Sequence, residues 1–454
     1  MFGLILSLVH LTALSAAENL THEYQLSNGM KVIIKEDHRA PTVAHMVWYR
    51  AGSIDEVTGK TGVAHVLEHM MFKGTKTLKP GDFSKKVAEV GGKDNAFTSK
   101  DYTAYFQQIE KTHLPKMMAL EADRMLNLQI SEEEFLKEIQ VVMEERRLRT
   151  DDQASAVVYE QLMAAAFANS PYKNPIIGWM GDLNSMTYLD AMEWYRTWYA
   201  PNNAVLVVTG DVSPTEVLTL AEKYYGSIPK KSLPIRKPLE EIQQIGVKRI
   251  QVKAPAENPN ITLAWKVPKL SGDDLNNIEP YALDVLSAVL DGHPNSRLNK
   301  IMVHDSRIAD HVSASYDLSS RGPQLFLIEG SPAKGKTVNE LERVFKKILM
   351  DIRQYGVTDA ELNRIKSQIL AAQIYKRDSV FGQAMEIGSI EMDGISWKNL
   401  DHILEMTQKV NSKDIQAVVE KYLIDDGLTV AVLDPQPINR KVGNPVSLIN
   451  GLRH

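Results

Sequence analysis

Residues 62–72 read Gly-Val-Ala-His-Val-Leu-Glu-His-Met-Met-Phe, and the rest of the chain is best interpreted outward from this stretch. Apolar residues surround nearly the whole of its helical projection, which predicts a buried helix. The polar exceptions are His65, Glu68 and His69. Polar side chains in so apolar a helix cost ~1–3 kcal/mol each unless a strong partner satisfies them. The stretch therefore predicts a buried helix that carries a functional polar site.

The spacing of these three residues indicates a metal centre. His65 and His69 are four residues apart, so on a helix their rings project from one face about one turn apart. That separation allows two imidazole nitrogens to share one zinc ion with bonds of ~2.0–2.1 Å. Glu68 precedes the second histidine and can act on a metal-coordinated water without taking a ligand position. The order His-x-x-Glu-His is the inverted zinc-peptidase motif, so we expect one Zn²⁺ per chain with Glu68 as catalytic base.

Composition restricts the alternatives. The sequence of 454 residues contains no cysteine, which excludes disulfides, thiolate zinc sites and cysteine nucleophiles. Any transition metal must therefore be held by histidine and carboxylate, a donor set that suits catalytic zinc. The formal net charge is −5 and no basic block occurs, so nucleic acid is not expected as a partner.

A catalytic zinc needs a third protein ligand and an open position. The best candidate is a helix predicted over 132–149, on which Glu138, Val141, Val142 and Glu145 form one stripe. Two acids in an apolar stripe suggest one metal ligand and one carboxylate that hydrogen-bonds to a ligand without binding the metal. Two alternatives stay open at this point. Glu144 competes with Glu145, and Glu145 could instead pair with Arg149 on a solvated face.

The order of predicted elements favours an α+β fold built from two homologous α/β-sandwich halves of about 200 residues each. The expected strands cover 31–36, 42–51 and 204–210, with an extended ribbon at 94–109. Further helices are expected at 80–90, 114–128 and 154–168. Segments 40–48, 65–71 and 204–211 recur in the second half at 260–265, 284–290 and 428–434, and there Asp284, Ser287 and Ala288 replace the motif residues. We expect a metal-binding domain over 18–228, a proline-rich linker over 229–245 and a metal-free domain over 246–454.

The N-terminal residues 1–17 form a short apolar stretch that ends in small residues at Ala16 and Ala17. This pattern is typical of a secretory signal peptide, although no Lys or Arg precedes the apolar stretch. It predicts secretion across an inner membrane into a bacterial periplasm, with no membrane span once the leader is removed.

Four segments together resemble the pitrilysin, or insulinase-like, family of inverted zinc peptidases, in the branch of the mitochondrial processing peptidase and its bacterial relatives. These segments are 65–75, 91–105, 138–147 and 199–204. The resemblance implies a zinc endopeptidase that encloses unfolded peptides, with this chain as half of a clam-shell. In that branch the third ligand lies 76 residues after the second histidine, which falls on Glu145. Glu138 then supports the site from behind, and an edge strand containing Asn95, Ala96, Phe97 and Thr98 binds the substrate backbone.

One feature of active relatives is missing from this sequence. They carry an Arg and a Tyr seven residues apart in a metal-free half, and the Ser-Arg-Leu that precedes this pair is present at 296–298. The expected positions hold Val303 and Asp310 instead, while Arg307 and Tyr316 have the wrong spacing. We therefore expect a heterodimer in which a homologous subunit supplies the pair. A non-catalytic assembly subunit and a metal-binding protein without catalysis are the alternative functions.

Overall fold

The computed structural model describes residues 20–237 and 240–438, so the predicted leader lies outside the described residues. Two sheets form the framework. The strands of the first are β1 (Thr21–Gln25), β2 (Lys31–Glu36), β3 (Thr42–Tyr49), β4 (Lys93–Thr98), β5 (Thr103–Glu110) and β6 (Ala204–Gly210). Those of the second are β7 (Lys248–Pro255), β8 (Asn260–Val267), β9 (Ala309–Ser315), β10 (Gln324–Pro332) and β11 (Leu428–Gln436).

Helices cover the sheets and are numbered in chain order. Those before the linker are α1 (Val63–Met70), α2 (Asp82–Ala88), α3 (Leu114–Asn127), α4 (Glu132–Arg146), α5 (Ala154–Ala166), α6 (Met180–Ser185), α7 (Tyr188–Trp198) and α8 (Pro214–Tyr224). Those after it are α9 (Ile278–Asp291), α10 (Val338–Tyr355), α11 (Asp359–Lys376), α12 (Val380–Met392), α13 (Leu400–Lys409) and α14 (Ser412–Tyr422). A π-helical turn, Arg147–Asp151, continues α4.

The two sheets repeat one topology. Their strand orders are β1-β2-β6-β3-β5-β4 and β7-β11-β8-β10-β9. When β1 is set aside, each strand of the first sheet has a counterpart in the second with the same neighbours. The directions agree as well, since β2–β6 and β7–β11 are parallel pairs and the other pairs are antiparallel. The predicted α+β fold of two homologous halves is confirmed.

Most expected elements appear within a few residues of their predicted bounds. The exception is the ribbon over 94–109, which is two strands, β4 and β5, joined by a turn at 99–102. The turn was missed because Ser99, Lys100 and Asp101 interrupt the apolar alternation without a glycine or proline. The exact domain boundaries stay a prediction.

Each half contributes one helix that packs on the sheet of the other half. Helices α1, α3 and α8 cover the first sheet from within its own half, whereas α12 packs on β3 and β6 from the second half. In return, α5 of the first half packs on β7 and β11. Both sheets are thus buried on two faces, and the exchange places α5 beside the end of α4.

The site is positioned by α1, which packs against α4, α7 and the edge strand β4. Gly62 precedes α1 with a left-handed φ of 88°, and a Cβ there would lie 2.5 Å from the carbonyl oxygen of Ile177. This close approach needs glycine and fixes where the helix begins. No helix of the described residues is long and apolar enough to span a membrane.

Candidate metal centre

Helices α1 and α4 bring three potential ligands together. The Nε2 atoms of His65 and His69 lie 3.8 Å and 3.4 Å from Oε2 of Glu145. One donor atom from each residue falls within 4.8 Å of the other two. His69 is 8% exposed, and the other two side chains are nearly as buried. The residues that the sequence placed at the centre therefore converge on one point.

The two donor separations that involve Glu145 are close to those of a zinc site. Two ligand atoms bound at ~2.0–2.2 Å to one tetrahedral zinc lie about 3.3–3.6 Å apart. The 3.4 Å separation falls inside this range, and the 3.8 Å separation exceeds it by a few tenths of an ångström. Two imidazoles and one carboxylate also form the three-ligand set of catalytic zinc sites, which leaves a fourth position open.

Glu138 contacts the ring nitrogen of His69 that does not face Glu145. Its Oε1 lies 2.9 Å from Nδ1 of His69, and its Oε2 lies 2.5 Å from Nζ of Lys73. A proton on Nδ1 leaves Nε2 directed at Glu145, as a ligand requires. Burial alone would lower the pKa of His69, but the contacts with Glu138 and Glu145 outweigh it and raise this pKa to about 9. Metal binding at Nε2 would therefore release a proton.

Glu145 and Glu144 face different surroundings. Burial would raise the pKa of Glu145, but the hydrogen bond with His69 and the nearby His65 and Arg149 lower it to about 2. Arg149 contacts the other oxygen of Glu145 at 2.5 Å, so the ion pair considered as an alternative coexists with the ligand position. Glu144 is exposed and pairs with Arg147 at 2.7 Å.

Glu68 lies beside the two histidines but makes a different contact. Its Oε2 accepts a hydrogen bond from the Thr98 hydroxyl at 2.5 Å. Burial raises the pKa of Glu68, although Thr98 and His69 oppose the shift. A carboxyl group whose pKa is raised toward neutrality is suited to accept a proton and give it up again. Thr98, expected only as part of the substrate strand, thus also binds Glu68, the residue predicted to be the base.

Two further residues of the site were not found from the sequence. Lys73 is one, because its partner Glu138 lies on another helix. Glu56 is the other: its carboxylate accepts from the backbone N–H groups of Gly62 and Ala64 at 2.8 and 2.9 Å and so caps α1. Burial raises the pKa of Glu56 to about 8, while the two N–H groups oppose this. An acid six residues before a glycine-initiated helix is the only sequence signal for this cap.

Clefts flank the metal centre on both sides and follow β4. One of about 400 Å³ is lined by Glu68, Thr98, Lys100 and the apolar face of α5. Another of about 450 Å³ is lined by Asn95, Val141 and Leu148. Strand β4 lies at the end of its sheet and pairs with β5. Its outer edge includes residues 95–98, and an outer edge of this kind is where another strand can add to a sheet.

Among the described residues of the second half, the positions expected to hold the Arg and the Tyr carry other side chains. Val303 lies in a π-helical turn, Asn299–Asp305, and Asp310 lies in β9. The buried Tyr316 donates its hydroxyl to the carbonyl of Pro268 at 2.6 Å. Arg307 is exposed with φ of 50°. The tyrosine is thus engaged within its own half.

Sequence comparisons agree with this geometry. Residues 31–179 match the insulinase family, peptidase family M16, and residues 185–369 match the peptidase M16 inactive domain. The zinc protease PqqE of Helicobacter pylori is 30% identical over 419 residues, which cover 90% of this chain and 92% of that protein. The mitochondrial-processing peptidase subunit beta of Lentinula edodes is 25% identical and covers 89% of this chain and 88% of its own length.

Solved structures show the same fold. A protease from Helicobacter pylori, 30% identical, superposes with a TM-score of 0.86 and covers 91% of this chain and 99% of its own. The periplasmic protease PqqL from Escherichia coli superposes with a TM-score of 0.77 at 18% identity. The match covers 92% of this chain but 48% of PqqL, so PqqL is about twice as long.

Proposed function

Because the chain belongs to the insulinase family of zinc peptidases, M16, we propose that it is the catalytic subunit of an endopeptidase that cleaves unfolded peptides. The observation that carries the proposal is the convergence of His65, His69 and Glu145 at zinc-binding distances with Glu68 beside them. A subunit that had only an assembly role would not need a base held next to an intact ligand set.

Each residue of the centre would have its own role in peptide hydrolysis. His65, His69 and Glu145 would hold zinc, which lowers the pKa of water and polarises a carbonyl when bound. Glu68 would take the proton of the attacking water and then deliver it to the leaving amine. Thr98 would hold Glu68 in position, and Glu138 would keep the Nδ1 proton on His69, so that Nε2 stays a ligand.

The substrate would add to β4 as a further strand. Its backbone would pair with the outer edge of Asn95–Thr98, which gives affinity with little dependence on side chains. Ala96 and Phe97 line this edge beside the metal centre, and the flanking clefts would receive the substrate side chains. An extended segment fits an edge strand whereas a folded protein does not, so unfolded peptides are the expected substrates.

A homologous partner would complete the enzyme. Support comes from Val303 and Asp310 at the positions where an Arg and a Tyr are expected, and from the double length of PqqL. Two chains of this fold would together enclose a chamber. The periplasmic relative and the apolar residues 1–17 support a periplasmic location.

Glu68→Gln tests the proposal. The amide cannot accept the water proton, so hydrolysis of unfolded peptides should fall by ~10²–10⁴-fold. Zinc content, measured by atomic spectroscopy, and the unfolding temperature should stay near those of the unmodified chain, because Glu68 is not a ligand. Near-normal turnover would remove Glu68 from the mechanism. If the unmodified chain binds zinc but hydrolyses no peptide, even with its partner, the assembly role is favoured instead.

A further inference from the structure

A third cleft, which shares no lining residue with the two beside the metal centre, lies where the two halves and the linker meet. It has a volume of about 730 Å³, within the range of small-molecule sites. Its walls come from the segment after β3, the linker, the segment after β8, the β9–β10 loop and the turn after α12. The charged residues on these walls are Arg50, Arg236, Lys237, Lys269 and Arg321, with Asp55 and Asp393.

The cations outnumber the acids that balance them. Asp55, 4% exposed, already binds Arg321 at 2.7 Å and Arg236 at 2.8 Å. Lys269 donates to the carbonyls of Ser320 and Arg321 rather than to a carboxylate. Asp393 accepts from Ser319, and burial raises its pKa to about 6. The side chains on the walls of the cleft therefore carry net positive charge.

Arg50 is the least satisfied of these cations. It is half-buried, and its Nε is shielded from solvent without a hydrogen-bond partner among residues 20–237 and 240–438. Within the same part of the chain it forms no ion pair, while burial and the nearby Arg321 and Arg236 lower its pKa. Buried charged groups are normally paired. An unpaired guanidinium beside two other arginines indicates that its partner comes from outside the chain.

We propose that this cleft binds a multivalent oxyanion, namely a phosphate group, either free or as part of a phosphate ester. Arginine presents several N–H donors in a planar fork that matches phosphate oxygens. Arg50 would supply direct donors, with Lys269 and Lys237 adding charge. Because the walls include both halves and the linker, the bound anion would fasten the two halves together and stabilise the folded chain.

Isothermal titration calorimetry of the zinc-loaded chain tests this site with inorganic phosphate, pyrophosphate and glycerol 3-phosphate, at ionic strength fixed with sodium chloride. We expect saturable binding with a stoichiometry of one. The ligand that binds most tightly shows whether the site takes free phosphate or a phosphate ester. Arg50→Gln should weaken binding at least ~10-fold. It should not lower the unfolding temperature in phosphate-free buffer, because no protein hydrogen bond is lost and the repulsion from Arg236 and Arg321 is relieved.

Arg353→Gln is the matched control, since it removes the same charge from an exposed arginine that pairs with Glu420 outside the cleft. It should bind all three ligands like the unmodified chain. Equal weakening by both substitutions would show a general charge effect and overturn the site. Binding that survives Arg50→Gln would place the anion elsewhere, for example at the metal centre, and would also overturn it. Peptidase activity is not used as a readout, so the result is independent of the proposed function.

Discussion

At the scale of single residues, the metal centre uses two carboxylates of one helix for two tasks. Glu138 and Glu145 are seven residues apart on α4, two turns, and therefore share a face. Glu145 faces both imidazole Nε2 atoms, whereas Glu138 takes Nδ1 of His69 and is held by Lys73. The first arrangement suits metal binding and the second suits fixing a tautomer.

Replacing Glu145 should therefore affect zinc, and replacing its neighbour should not. Glu145→Gln removes a charged ligand. Loss of a residue that only hydrogen-bonds to a ligand typically lowers metal affinity roughly 10–100-fold, and we expect zinc affinity to fall by more than this. Glu144→Gln is the control, because Glu144 is exposed and pairs with Arg147. Competition with a zinc-binding dye measures both affinities. Loss of metal from Glu144→Gln with retention in Glu145→Gln would reverse the assignment.

The same residues show how far sequence can predict a site. His65, Glu68 and His69 were identified from spacing alone, because a helix converts a four-residue interval into a shared face. Spacing did not separate Glu144 from Glu145, since adjacent residues on a helix differ by about 100° and the rotation of α4 about its axis is set by tertiary packing. Lys73 was missed because only the fold brings its partner Glu138 near, and Glu56 was missed because an acid six residues before a helix is a weak signal for a cap.

At the scale of elements, the exchange of α5 and α12 was not predictable from periodicity. The apolar pattern of a helix shows that one face is buried but not which sheet buries it. Strand order was more accessible, because the repeat paired segments 204–211 and 428–434, which are the equivalent strands β6 and β11. The two exchanged helices connect the halves, so they should control the stability of the whole chain.

Gly388 of α12 tests the exchange. A Cβ at this position would lie 2.0 Å from Cε2 of Trp48 in β3, which is fully buried. Alanine favours a helix over glycine by ~1 kcal/mol, but here the clash should dominate and Gly388→Ala should destabilise the chain by roughly 1–3 kcal/mol. Gly181→Ala in α6 is the control, since a Cβ there meets no atom within 4 Å. Urea unfolding compares the two; equal or higher stability of Gly388→Ala would show that α12 does not pack as described.

Glu241 joins the linker to both halves and predicts a dependence on pH. Its carboxylate accepts from the backbone N–H groups of Ala168 and Ser170 at 2.8 and 2.9 Å and pairs with Lys266 of β8. Burial opposes these contacts, but together they lower the pKa of Glu241 to about 2. A carboxyl whose pKa is lower in the folded state stabilises the fold above its unfolded value near 4.5, and the stabilisation is lost as pH falls toward 2.

Glu241→Gln should accordingly reduce the free energy of unfolding at pH 7 by up to roughly 3 kcal/mol, and by much less near pH 2. Glu240→Gln, which alters an exposed neighbour, should have little effect at either pH. Denaturant titrations at the two pH values measure the difference. If Glu241→Gln lowered the free energy of unfolding equally at both pH values, the stabilisation would not come from the charged carboxylate.

At the scale of the whole molecule, the chain has the architecture of half an enclosure. Its first half carries the proposed ligands, the proposed base and the edge strand β4, whereas in the second half Asp284, Ser287 and Ala288 stand at the equivalent positions. Hydrolysis also needs a donor for the oxyanion that develops on the attacked carbonyl. Val303 cannot donate from its side chain, Asp310 carries a carboxylate, and Tyr316 already donates to Pro268.

The isolated chain should therefore hydrolyse peptides slowly, and a homologous chain with an Arg and a Tyr at these two positions should stimulate it. Loss of one preorganised oxyanion donor costs ~10²–10³ in rate, so we expect stimulation of this order rather than an all-or-none change. The assay is turnover of short unfolded peptides by the zinc-loaded chain alone and after addition of the partner, with complex formation followed by sedimentation. A partner whose Arg and Tyr are replaced by Ala is the control, and it should bind without restoring the rate. Full activity of the isolated chain that persists in both Arg307→Ala and Tyr316→Phe would contradict the two-chain enzyme, because the site would then need no donor from outside.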